Sequence, residues 1–228
     1  KVYDDQVIFE AMTQSEQTLY NGILEKIGIE GSSVTFPIFS LTEKDQQNNY
    51  LKSVNKKKLN IAIHPGCGTF DYKRWEKEKF NELIISLIKN EELHILILGG
   101  KEEALLANSV LDNVPSNKYT NLVGQLNIRE TLSILKKSFL LISNDSGVMH
   151  LGAAMEVPVV AIFGPTSYIK NHPLGDKTKI IISENFCNSR SNSICDECKI
   201  QWKQQKSVPL CLQSISVNDV LNEVNKFI

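Results

Sequence analysis

From Leu59 onward the chain repeats one pattern. A short, almost unbroken apolar run is followed by a longer stretch whose apolar residues recur every three or four positions. Leu59–His64 (LNIAIH), His94–Leu98 (HILIL), Asn121–Val123, Phe139–Ser143, Pro158–Phe163 and Lys179–Ser183 read as strands. Helices are predicted between them at Glu76–Asn90, Glu102–Leu111, Ile128–Lys137 and Gly147–Met155. In the first of these, Phe80, Leu83, Ile84, Leu87 and Ile88 follow the i, i+3, i+4, i+7, i+8 spacing of one buried face. Strands that are apolar throughout are covered on both faces. Regular alternation with short connections builds a parallel sheet with helices on either side. The predicted class is therefore α/β, a Rossmann-like parallel sheet with helices on both faces.

The first 58 residues break the pattern. Ser15–Ile27 reads as a helix, Val34–Leu41 as an extended piece and Thr42–Val54 as a second, mostly polar helix. That is too little for an independent domain. Residues 1–58 read as the remnant of an N-terminal domain with its linker, residues 59–215 as the principal domain and residues 216–228 as a C-terminal helix. The chain opens on Lys1, which reads as a fragment. A net charge of -1 leaves no basic footprint for nucleic acid. No apolar run approaches the roughly 18 residues of a membrane span, and no signal peptide is visible, so a cytoplasmic address is expected. Five cysteines, an odd number, argue against a secreted disulfide framework.

Ligands of parallel sheets bind at the carboxyl ends of the strands, so the turns after each strand carry the functional expectations. Ser143-Asn144-Asp145-Ser146-Gly147 leads from a strand into a helix. The first N–H groups of a helix lack internal partners and, with the helix dipole, attract an anion. Gly147 leaves room for close approach. One helix terminus is worth roughly 0.3–1 kcal/mol to an anion, up to about 2 when partly buried, so a second positive group is expected. Lys73, beyond the Gly-rich turn His64-Pro65-Gly66-Cys67-Gly68-Thr69, suits a phosphate. Glu102 and Glu103, after Gly99-Gly100, are placed to accept bonds from ribose hydroxyls, and Thr166 closes another strand. The alternative is that Asn144, Asp145 and Ser146 merely cap the helix. Asn144-Asp145-Ser146 also has the form of a glycosylation sequon, which carries little meaning in a cytoplasmic turn.

Taken together, HPGCGTFDYKRW with Phe80, LILGGKEE, LVGQLNIRETLSIL and ISNDSGVMHLGAAMEVPVVAIFGPT resemble glycosyltransferase family 9, the heptosyltransferases of lipopolysaccharide core assembly. The resemblance covers Leu59 to the C-terminus well and Val2–Val54 loosely. It implies one half of a GT-B architecture, holding the nucleotide-sugar donor, typically ADP-heptose, for an inverting transfer. Lys73 would contact the donor diphosphate and Glu103 (or Glu102) the ribose. Asp145 would lie beside the sugar, and Ser146 and Gly147 would offer N–H groups to the phosphates. Asn144, His150 and Thr166 would complete the donor site, and Lys73 and Asp145 would be its catalytic pair. No cofactor is required if a lysine stabilises the leaving diphosphate. The acceptor, a lipid-linked glycan, and the family's aspartate base belong to an N-terminal domain missing here, because Asp4 and Asp5 do not sit in the family's Gly-rich turn. The fragment alone is expected to bind donor but to transfer it slowly or not at all. An address at the inner face of the bacterial inner membrane is implied. The family's usual proline after Lys-x-Trp is Glu76 here.

Cys187, Cys195, Cys198 and Cys211 have a spacing that a structural zinc could use; reduced surface thiols are the alternative. Two other functional classes fit the same sequence: a non-catalytic nucleotide- or sugar-phosphate-binding module, and a GT-B sugar-nucleotide epimerase.

Overall fold

The computed structural model describes residues 40–68, 70–183, 200, 203–204 and 207–228. The Ser15–Ile27 helix and most of the Val34–Leu41 piece lie outside the described residues, as do Cys187, Cys195 and Cys198.

Six strands form one parallel sheet: β1 (Leu59–His64), β2 (Leu93–Ile97), β3 (Tyr119–Asn121), β4 (Leu140–Asn144), β5 (Val159–Ile162) and β6 (Thr178–Ile181). Their order is β3-β2-β1-β4-β5-β6. The chain lays down β1, β2 and β3 outward on one side, then returns to place β4, β5 and β6 on the other side of β1. The carboxyl ends of β1 and β4 are therefore adjacent, with His64 in register with Ser143.

Side chains alternate across the sheet and split the interior into two cores. Ile61, Ile63, Ile95, Ile97, Leu140, Ile142, Val160 and Ile162 face one core. The helices α2 (Lys77–Leu87), α3 (Ala104–Val110), α7 (Leu210–Gln213) and α8 (Val217–Val224) pack on it. On α2, Phe80, Leu83, Ile84 and Leu87 are buried, each contributing about 1.5–3 kcal/mol of apolar burial. Ala62, Leu96, Leu141, Val159 and Ala161 face the second core, covered by α4 (Ile128–Lys136) and α5 (Gly147–Ala154), with Tyr168 of the short α6 (Tyr168–Asn171) packed against it.

The predicted Thr42–Val54 helix is instead a single turn, α1 (Glu43–Gln46), followed by a 3-10 turn at Asn49–Ser53. Asn48 is the reason. Its side chain accepts from the Leu51 N–H and starts a second turn where a continuous helix would place an interior residue. The break lets Tyr50, Leu51 and Val54 pack against the second core. Arg129 of α4 clasps Asp45 through Nε (2.9 Å to Oδ1) and Nη2, and the Ser133 hydroxyl donates to the Asp45 carbonyl.

Other boundaries move as well. The expected Glu102–Leu111 helix begins as a 3-10 turn, Lys101–Glu103, because the Glu103 carboxylate takes the Gly100 N–H at 2.9 Å and tightens the first turn. The edge strand β3 lies two residues upstream of Asn121–Val123, where pairing with Ile95–Ile97 puts it. Among the described residues, no helix is long and apolar enough to cross a membrane.

Candidate functional site

The adjacent ends of β1 and β4 are the topological switch point of the sheet, where open α/β proteins bind ligands. Three consecutive residues, Asn144, Asp145 and Ser146, are each committed to a different task there.

Asn144 is fully buried and ties the two turns together. Its Oδ1 accepts the Trp75 backbone N–H at 3.1 Å. Its Nδ2 donates to the carbonyls of Pro65 (2.8 Å) and Gly66 (3.3 Å). Trp75 is itself fully buried, with its indole N–H on the Ile215 carbonyl at 3.1 Å. The asparagine thus holds the segment that carries Lys73 against the end of β4.

Asp145, 4% exposed, accepts from Lys73 Nζ at 2.9 Å and from the Thr166 hydroxyl at 2.5 Å. The Lys73 side chain is 18% exposed, and its ammonium also lies 5.7 Å from the centroid of the exposed Phe70 ring. The three residues Lys73, Asp145 and Thr166 thus meet from three different strand ends.

Ser146 precedes the first turn of α5 yet makes no capping bond. Its hydroxyl lies 3.1 Å from His64 Nδ1 and 3.0 Å from Ser143 Oγ. So none of Asn144, Asp145 and Ser146 spends its side chain on the helix, and the alternative of simple capping fails here. The amides opening α5 have no side-chain cap. A Cβ built on Gly147 would meet nothing within 4 Å, so protein packing does not demand glycine at this exposed position. His150 lies one turn on and is exposed.

Glu103 is 5% exposed and turned inward, whereas Glu102 is exposed. Its Oε2 accepts from Gly100 N–H and lies 3.3 Å from His64 Nε2. Burial alone pushes this carboxyl up. The His64 hydrogen bond and charge, with the N–H groups of Gly100 and Gly68, outweigh it and hold the group at about 2. Oε1 has no partner at full hydrogen-bond geometry. Gly66 is required beside it, since a Cβ there would fall 1.6 Å from Oε1. The Cys67 thiol, in the same turn, is pushed up to about 11 chiefly by burial. Of the four cysteines with metal-ligand spacing, Cys211 is described; it is 2% exposed on α7 within the first core.

The family profile described as glycosyltransferase family 9 (heptosyltransferase) matches residues 23–200. The chain belongs to glycosyltransferase family 9. Among its relatives is lipooligosaccharide heptosyltransferase 2 of Campylobacter jejuni, 27% identical over 198 residues, which are 84% of this chain and 58% of that protein. Lipopolysaccharide heptosyltransferase 2 of Salmonella typhimurium is 29% identical over 132 residues, 57% of this chain and 38% of that protein. The fold matches E. coli ADP-heptose lps heptosyltransferase II with a TM-score of 0.70 at 22% identity, covering 86% of this chain and 54% of that one. It matches a family 9 glycosyl transferase of Veillonella parvula with a TM-score of 0.76 at 19% identity, covering 94% and 60%. The matched stretches thus span between 38% and 60% of the length of these family 9 proteins.

Two residues of this cluster, His64 and Trp75, are not among those expected from the sequence. His64 ends an otherwise apolar buried strand, which was a usable signal. The part played by the Trp75 N–H was not legible, because its partner lies 69 positions away.

Proposed function

We propose that this chain carries the donor half of an enzyme that transfers a sugar, heptose, from a nucleotide-diphosphate donor, ADP-heptose, to a lipopolysaccharide core or similar acceptor. The observation that supports it most is the juxtaposition at the sheet's switch point of an uncapped helix N-terminus with the Lys73–Asp145–Thr166 cluster. Family membership and relatives named as heptosyltransferases support the sugar and the acceptor class.

The chemistry follows from where charge develops. A base deprotonates the acceptor hydroxyl, which attacks the anomeric carbon and inverts it while the diphosphate leaves. Negative charge grows on the departing phosphates. Amides and an ammonium already fixed around them stabilise the transition state more than the ground state. Lys73 has three donors, so it can keep Asp145 and still reach a phosphate oxygen. Asp145 in turn lies beside the sugar, with Thr166 holding its carboxylate. Glu103 would hold the ribose, and His150 would flank the phosphates from the exposed side of α5. Lys73 supplies the cation, so the transfer requires no cofactor. A zinc held by Cys187, Cys195, Cys198 and Cys211 would be structural. The base and acceptor surface belong to an N-terminal domain, linked through residues 1–58 to a donor domain at 59–215 and the closing helix at 216–228. The lipid-linked acceptor places the enzyme at the cytoplasmic face of the inner membrane.

Calorimetric titration with a panel of nucleoside diphosphates tests the donor site. ADP is expected to bind, and Lys73→Ala and Asp145→Ala to weaken it about tenfold or more, the scale of a lost charge-assisted bond. If no nucleoside diphosphate binds the folded chain, the donor assignment is wrong.

A further inference from the structure

Glu103, His64 and Ser146 form a hydrogen-bonded chain, buried at Glu103 and His64, whose histidine the transfer chemistry above leaves unused. His64 is 4% exposed and sits between the other two: Nε2 is 3.3 Å from Glu103 Oε2, and Nδ1 is 3.1 Å from Ser146 Oγ. We infer that this chain couples phosphate binding at the N-terminus of α5 to the uptake of one proton by His64. The inference rests on the donor-site reading and adds a protonic step to it.

Hydrogen-bond capacity gives the argument. An ionised carboxylate only accepts, so the proton between Glu103 and His64 sits on Nε2. In the neutral ring Nδ1 is then a bare acceptor. Ser146 must donate its only proton to it, and the hydroxyl shows lone pairs alone to anything arriving at the turn. A phosphate oxygen also has only lone pairs, so this arrangement repels it. Once Nδ1 carries a proton, the direction reverses. Nδ1–H donates to Ser146 Oγ, and the Ser146 proton is released from the ring. It can point to Ser143 Oγ, 3.0 Å away, which itself donates to the Asn144 carbonyl at 2.8 Å. It can equally turn outward, and a charged phosphate is the stronger acceptor. The proton balance is simple: one proton passes from solvent to His64 Nδ1, and the Ser146 O–H, keeping its hydrogen, turns its hydrogen bond from the ring to the ligand.

The charged and titratable groups near His64 come from three turns. From the turn after β2, Glu103 supplies a buried negative charge. From the turn after β1 come Cys67, a thiol that stays protonated, and Arg74, paired with Asp71 at 2.8 Å. From the turn after β4, Asp145 is neutralised by Lys73. Among the described residues, Glu103 is the charged group in direct contact with His64.

The test is calorimetric titration of the chain with ADP at pH 8 in buffers of different ionisation enthalpy. At that pH the terminal phosphate, whose second pKa is near 6, has already lost its proton, so any proton gained goes to the protein. The wild-type chain is expected to take up a substantial fraction of about one proton per ADP. Ser146→Ala is expected to abolish the uptake and weaken ADP about tenfold. Ser146→Thr, which keeps a hydroxyl, should retain it. ADP binding with the same heat in every buffer overturns the coupling and leaves the donor site standing. So does undiminished uptake in Ser146→Ala. Failure of ADP to bind removes both.

Discussion

Asn144→Ala is the substitution that bears hardest on how the site is built. The side chain is fully buried and makes three hydrogen bonds, to Trp75 N–H and to the carbonyls of Pro65 and Gly66. Alanine leaves the Trp75 N–H with no acceptor in a place water does not reach, at a cost of about 1–3 kcal/mol for an unsatisfied buried donor. The two carbonyls lose a shared donor, and a small hole remains, so the expected loss is about 2–4 kcal/mol. Against a total stability of roughly 5–15 kcal/mol this is large. Urea unfolding followed by circular dichroism should show a lower midpoint with an unchanged slope, because the surface exposed on unfolding is the same. Asn144→Asp separates the two roles of the amide. It keeps an acceptor for Trp75 but turns the donor into an oxygen facing two carbonyl oxygens. It should cost at least as much, and increasingly so as pH rises and the carboxyl ionises. A loss under about 1 kcal/mol for Asn144→Ala would refute the idea that this residue clamps the two turns.

Other outcomes follow from the same geometry. Gly66→Ala puts a Cβ 1.6 Å from Glu103 Oε1 and should destabilise by about 1–3 kcal/mol; adding Glu103→Ala should recover much of that, a coupling that a double-mutant cycle measures. Gly147→Ala meets no protein atom within 4 Å, so thermal stability should stay level or rise slightly, while ADP affinity falls because the ligand, not the protein, occupies that space. Glu103 titrates at about 2 rather than its ordinary 4.5. Its contribution is therefore complete above the ordinary value and disappears as pH falls through the folded one. Between about pH 5 and pH 2 the wild type should lose more stability than Glu103→Gln, and parallel loss would show that this carboxylate is not stabilised by folding.

The relation between sequence and structure can be read in individual elements. Leu59–His64 was legible to the residue, because a buried parallel strand is apolar throughout and its ends are marked by turn chemistry. Thr42–Val54 was not read correctly, because propensity cannot weigh an asparagine cap against a continuous helix when packing on a sheet tips the balance. Lys73, Asp145, Thr166, Ser146 and Glu103 were all visible as turn residues after strands. Their pairings were not, since each links turns that lie far apart along the chain.

The sequence by itself determined the α/β class, the strands to within a residue or two and the turns that could hold chemistry, because periodicity and turn residues are local properties of the chain. Its motifs also determined the family. Tertiary structure alone decided what each polar side chain does. The strand order places the ends of β1 and β4 side by side. Only then does Asn144 become a clamp, Asp145 the partner of Lys73, and Ser146 the outer end of a chain through His64 to Glu103. The physical reason is that a hydrogen bond depends on ångström distances and on which competing partners are near. Those are fixed by the packing of strands and turns distant in sequence, and not by residue order.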